Sequence, residues 1–344
     1  MRMRLFAASC AVCAASLLCG CDDGGRAKPE PTGVAYELVL IVPEQIYSGE
    51  LKDTLVSILE GSTPLLPQHE PMFRLSVIHS ALKEYNLFRS RLIVTIDPKS
   101  DLRIDQMANT PAANQVEVRV TGPDAHSLAE FLGANRQQLT DLFVENELRT
   151  EMARLQGQHA QMVTDSMQHQ FGHTIYVPVG IRASKLGKDF FWAGTNLNDK
   201  DLNYVYYSYP WNGEPLAEAD LVAMRDSILR INIPGAQPGQ YMQTSRYVRS
   251  NENENENDNA ATSDDGEGIP MVVSRARIIN NVYVMELRGL WDVRGAALGG
   301  AFISQARIDT AAQRVLVNEG FIYSPHSPKR ALLRQMEAAI RTFK

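Results

Sequence analysis

At 344 residues, 44% hydrophobic and 22% charged, the chain has an ordinary globular composition with room for about two domains. No apolar run reaches the roughly 20 residues that a membrane-spanning helix needs, which excludes a multi-pass transporter. The net charge of -6 is carried without a clustered basic face, so nucleic acid is not expected as a partner.

Met1 to Arg4 carries two positive charges, Leu5 to Leu18 is apolar, and Cys19 and Gly20 follow, which is the layout of a secretory signal over residues 1–20. The apolar stretch is too short to span a bilayer, and Asp22-Asp23-Gly24-Gly25 is no stop-transfer flank. Leu18-Cys19-Gly20-Cys21 resembles the lipobox of bacterial lipoproteins, which implies cleavage before Cys21 and acylation of that cysteine. All four cysteines (Cys10, Cys13, Cys19 and Cys21) lie at or before this point, so the exported body has no thiol and relies on its core. The Cys10-Ala-Val-Cys13 spacing falls in the discarded segment, where no fold surrounds it to make a redox or zinc pair. Several acyl chains on Cys21 anchor stably without a spanning helix, because each buried methylene contributes ~0.8 kcal/mol. Residues 21–34 read as the lipidated cysteine and a Gly- and Pro-rich tether. The expected location is the cell envelope, on the outer membrane, with the periplasmic or surface side left open; the membrane is the first expected partner, through Cys21.

In residues 35–171, Tyr36 to Val42 is a nearly continuous apolar run that predicts a buried strand, and Gly49 to Gly61 has helical spacing. Phe73 to Ile78, Arg91 to Asp97 and Val116 to Thr121 read as strands. Asp124 caps a helical pattern from Leu128 to Met162, with Gly133 and Gly157 as points of interruption. In residues 172–344, Asn203 to Tyr209 is a strand and Pro215 to Ile231 a helix. Val272 to Ile278 and Val282 to Leu287 are strands, and Ala301 to Asp309 with Arg314 to Tyr323 form a hairpin. Ser327-Pro328 is expected to cap a last helix with the stripe Leu332, Leu333, Met336, Ala339, Ile340 and Phe343. The same order of elements occurs twice. This predicts an α+β fold of two similar subdomains, each with a mostly antiparallel sheet and packed helices. The tract at 250–268, which includes Asn251 to Asn257 (NENENEN), has almost nothing to bury and reads as a disordered loop.

No nucleophile elbow, dinucleotide fingerprint, P-loop or zinc-protease motif is present, and no cofactor or metal is expected. Gly180 to Lys188 ends in Gly-Lys but lacks Walker A spacing, and His169 and His173, with His159 nearby, are split by a helix end at Gly172. Two segments carry the densest chemistry. Leu65 to Phe73 fixes Gln68, His69 and Glu70 between prolines, and Glu286 to Asp292 brings Arg288, Trp291 and Asp292 near Gly299-Gly300, with His326 and Lys329 further on. The aromatic run Tyr204 to Trp211 suits strand packing or, alternatively, a carbohydrate-stacking face. Gln68, His69, Glu70, Arg288, Trp291, Asp292, His326 and Lys329 are the expected binding or structural residues. The alternative is a hydrolase of unfamiliar type built on His69 and Glu70.

The segments LPQHEPMF, RSRLIVTID, KDFFW, PGQYM, RGLWDVRGAALGGAF and EGFIYSPHSPKRALLRQME, with the lipobox, resemble the Bacteroidetes lipoprotein family catalogued as domain of unknown function 4837, over about residues 35 to 343. The resemblance implies an envelope lipoprotein and supplies no reaction, ligand or catalytic residue. A binding or interaction protein is therefore expected, with an envelope protein, a glycan or a small ligand as partner.

Overall fold

The apolar run at the start of the body forms β1 (Glu37–Ile41), an interior strand of a first sheet, with side chains buried on both faces. A computed structural model describes residues 28–66, 68–80, 83–247, 269–279 and 281–344. After β1 come α1 (Gly49–Leu59), β2 (Arg74–Ile78), β3 (Ser90–Ile96), β4 (Arg103–Ala108) and β5 (Val116–Gly122). The helical stretch then divides into α2 (Ala125–Ala134), α3 (Arg136–Gly157) and α4 (Gln161–Phe171), and Asp124 caps α2 by accepting from the Ser127 amide at 2.8 Å.

The first sheet runs β2-β1-β3-β5-β4. β1 is parallel to β2 and β3, and β3 to β5; β4 alone of these pairs antiparallel, with β5. The first half therefore departs from the expected antiparallel sheet. Its connections carry α1 and longer loops across the sheet, and crossovers of that kind join parallel strands. β4 escaped the sequence reading because it is an edge strand with almost every side chain exposed, which leaves no apolar alternation to detect.

The second half adds β6 (Ala183–Leu186), β7 (Phe190–Gly194), β8 (Asp201–Pro210), α5 (Glu218–Asn232), β9 (Tyr241–Thr244), β10 (Arg246–Tyr247) and β11 (Ile269–Pro270). These are followed by β12 (Val272–Ile279), β13 (Val282–Arg294), β14 (Ala296–Asp309), β15 (Arg314–Tyr323) and α6 (Arg330–Arg341). Its large sheet is antiparallel, in the order β12-β13-β14-β15-β8-β7-β6, with β9 added beside the end of β13. The α+β class and the two subdomains stand. The subdomains are nevertheless unlike in topology, so the element order repeats without a repeat of the fold.

Both faces of the large sheet are covered. Tyr204 and Tyr206 join a core that also holds Leu38, Phe143, Ile322 and Met336, drawn from both halves. Val205 and Tyr207 point the other way, to a second core with Leu221 and Leu229 of α5. Period-two burial on two apolar faces accounts for the aromatics from Tyr204 to Tyr207, while Tyr209 and Trp211 line a cavity of about 420 Å³ beside α5.

Candidate functional site

The ends of β13 and β14 form one wall of a cavity of about 420 Å³. Their register places Trp291 opposite Gly300 and Asp292 opposite Gly299. Gly300 is required here, since a methyl group on it would come within 1.9 Å of the Ile322 carbonyl oxygen and 3.0 Å of Trp291 Nε1. Trp291 is buried edge-on against Phe321, with centroids 5.5 Å apart. Asp292 Oδ1 accepts from Gln243 Nε2 of β9 at 3.0 Å.

The opposite wall comes from the proline-fixed loop and the start of α6. The loop closes on itself: the Thr63 amide donates to the Glu70 carbonyl at 2.7 Å, the Met72 amide donates to the Gly61 carbonyl at 2.8 Å, and Ser62 Oγ contacts His69 Nδ1. Glu70 reaches across to α6, where Oε1 accepts from the Lys329 amide at 2.6 Å and Oε2 from the Arg330 amide at 2.9 Å. It is a helix cap supplied from some 260 residues away, and it satisfies two of the donors that a helix N-terminus leaves open. Ser327-Pro328 does not fill this role: the cap position is Lys329, and no side chain of its own closes the helix. Lys329 Nζ donates to Gln68 Oε1 at 3.0 Å and to the Ser327 carbonyl at 3.3 Å, and the residue is only 3% exposed.

Gln68, Trp291, Asp292 and Lys329 thus line one cavity, completed by Ser245, Leu290, Leu298 and Pro325 among others. Residues 160–342, more than half of the chain, match the family model described as Domain of unknown function (DUF4837). The chain belongs to this family. Residues 31–156 match a second model, Domain of unknown function (DUF8532), so the resemblance expected over 35 to 343 divides between two families. No curated protein matches the chain. The cavity is composite: Gln68 lies in the DUF8532 match, and Trp291, Asp292 and Lys329 lie in the DUF4837 match.

The other expected residues fall elsewhere. His326 is exposed in the loop before α6, and His69 is turned to Ser62. With both Glu70 oxygens on backbone amides, His69 and Glu70 do not form an acid–base pair. Arg288 sits on the opposite face of β13 from Trp291. Its Nη2 lies 2.9 Å from Glu286 and 2.6 Å from Glu337, in a buried network that Arg334, Arg341, Arg277 and Glu145 complete. Burial alone would raise the Glu337 carboxyl, but Arg288, Arg334 and Arg341 outweigh it and hold the group well below the usual carboxylate range. The sequence signal for this network was the spacing Arg334, Glu337, Arg341, charges three and four apart beside the apolar stripe of the last helix.

A larger cavity of about 530 Å³ lies beside Tyr36, Arg89 and Glu147. Burial pushes the Glu147 carboxyl up, against the pull of Arg89, which donates to it at 2.9 and 2.6 Å. The two charges satisfy each other, and none of the expected residues lines that space. The histidine spacing at 169 and 173 is split as expected: α4 ends at Phe171 and Gly172 turns left-handed at φ 72°. Cys21 and Asn251 to Gly268 lie outside the described residues. Among the described residues no helix is long and apolar enough to cross a membrane, and no cluster of three His, Cys, Asp or Glu side chains forms a metal site.

Proposed function

We propose that the chain is an exported envelope lipoprotein, anchored through an acylated Cys21, whose body binds a ligand rather than transforms it. The ligand is a small molecule, or a protruding group of an envelope protein or glycan, held in the cavity between the proline-fixed loop and the ends of β13 and β14. The observation that carries this reading is the meeting of Gln68, Trp291, Asp292 and Lys329, distant in sequence, on one cavity of about 420 Å³. A few convergent polar groups on apolar walls are the usual make-up of a ligand site. The use of Glu70 as a helix cap favours binding over hydrolysis, because it removes the carboxylate that His69 would need.

Two experiments test the two parts. Intact-mass analysis of the membrane fraction is expected to find a chain that begins at an acylated Cys21 and that Cys21→Ala releases; an unmodified chain starting at Met1 in the soluble fraction removes the anchor. Native mass spectrometry of the detergent-solubilised protein is expected to find a small-molecule adduct that Ala297→Trp, which fills the cavity, abolishes. Identical spectra for the two proteins remove the cavity reading.

A further inference from the structure

The cavity contains an electrostatic anomaly. Lysine is almost never fully buried without a countercharge, because stripping water from an ammonium costs several kcal/mol. This protein otherwise keeps that rule. Among the described residues, the deeply buried arginines all face carboxylates: Arg91 faces Glu117, Arg225 faces Glu319, and Arg334 and Arg341 face Glu337. Lys329 is as buried as these, yet its acceptors are a side-chain amide and a backbone carbonyl, both neutral, for three N–H donors. Glu70, whose carboxylate meets the Lys329 backbone, gives both of its oxygens to backbone amides, and no carboxylate among the described residues forms an ion pair with Nζ.

We infer that the cavity takes a small molecule bearing a carboxylate, and that Lys329 is the cation that receives it; this rests on the cavity's being a binding site. The carboxylate supplies the missing countercharge beside an ammonium that is itself buried, where such a pair is stronger than on an open surface. A single ammonium with Asp292 on the same cavity disfavours a dianion such as phosphate and leaves a monoanion as the fitting charge. Leu290, Leu298 and Pro325 offer an apolar surface for the body of the molecule, and Asp292 on the same cavity offers an acceptor for an N–H or O–H.

The test compares acids with their own primary amides: acetate and acetamide, benzoate and benzamide, N-acetylalanine and its amide. Binding to the intact protein is measured by ligand-observed NMR and calorimetry at pH 7 and constant ionic strength. At least one acid is expected to bind at least tenfold more tightly than its amide. Lys329→Met is expected to erase that preference while raising the melting temperature, because an unpaired buried charge has been replaced by an apolar side chain of similar length. Equal binding of acid and amide, or a Lys329→Met protein that keeps the preference, overturns the inference and leaves the cavity reading intact. The acid–amide comparison on the unaltered protein decides the matter even where Lys329→Met does not fold. Should no probe bind, the adduct seen by native mass spectrometry decides: a carboxylic acid upholds the inference and a neutral molecule overturns it, while no adduct and no binding sink both readings together.

Discussion

Replacing Glu70 with alanine removes the cap of α6 without touching the hydrophobic core. The Lys329 and Arg330 amides lose acceptors at 2.6 and 2.9 Å, and both sit at a partly buried helix end. A hydrogen bond to a charged group contributes about 1.5–3 kcal/mol, and loss of a helix cap costs about 0.5–2 kcal/mol. Water replaces part of the loss at a half-buried site, so the two bonds together are expected to amount to about 2–3 kcal/mol. Glu70→Gln keeps one oxygen acceptor but no charge and is expected to cost about half as much. Urea denaturation of Glu70→Ala, Glu70→Gln and the unaltered protein gives the three values from the midpoints at a common slope. Carboxylate capping predicts the order Ala, Gln, Glu in rising stability. A loss below ~0.5 kcal/mol for alanine, the level of an ordinary surface substitution, refutes the assignment of Glu70 as a cap.

Glu337→Gln leaves Arg288, Arg334 and Arg341 facing one another with their shared carboxylate gone, and is expected to cost about 3–5 kcal/mol by calorimetry. Because the folded Glu337 carboxyl lies well below its ordinary value of 4.5, its contribution is complete above pH 4.5 and is lost as pH falls through the lowered value; acid unfolding of Glu337→Gln should therefore be flatter over that range. Gly300→Ala drives a methyl group against the Ile322 carbonyl and is expected to cost about 3 kcal/mol or more, with lost near-ultraviolet signal from Trp291, whereas Gly133→Ala in helix α2, where nothing lies within 4 Å, is expected to stabilise by about 0.5–1 kcal/mol with that signal unchanged.

How much of this was legible follows from where each signal was stored. The buried strands and the amphipathic helices announced themselves through period and caps, because a side chain's face is set by local geometry: Leu51, Leu55, Ile58 and Leu59 of α1 are all buried as their spacing requires. Strand direction was not local. The apolar runs at β1, β3 and β5 fitted buried strands in either sense, and only the crossovers between them made the sheet parallel. The same division holds at the site. Gln68, Trp291, Asp292 and Lys329 stood out as polar or aromatic residues in rigid or glycine-flanked segments, but their meeting depends on tertiary docking. Glu70 was expected as a binding or structural residue, with acid–base chemistry beside His69 as the alternative, and nothing near it in sequence reveals that its partners are the amides of Lys329 and Arg330.

Those two amides point to how the cavity holds its shape. α6 is bound to the first half at its start by Glu70 and, two turns later, to β13 of the second half by Glu337, which pairs with Arg288, while Leu333 and Met336 enter the shared core between these points. A buried charge network adds little net stability over an apolar equivalent, so its use here lies in admitting one docking register of the helix. Lys329 and Gln68 then hold their cavity positions only as long as both ends of α6 are fixed. If the helix docks as a rigid unit, Glu70→Ala and Glu337→Gln are coupled: the second change costs less once the first has loosened the helix. A double-mutant cycle should give an interaction of at least ~0.5 kcal/mol, although the two side chains share no contact. Additivity within ~0.3 kcal/mol means that the ends of α6 dock independently, and the cavity then owes its shape to the loop and the strand ends rather than to rigid docking of the helix.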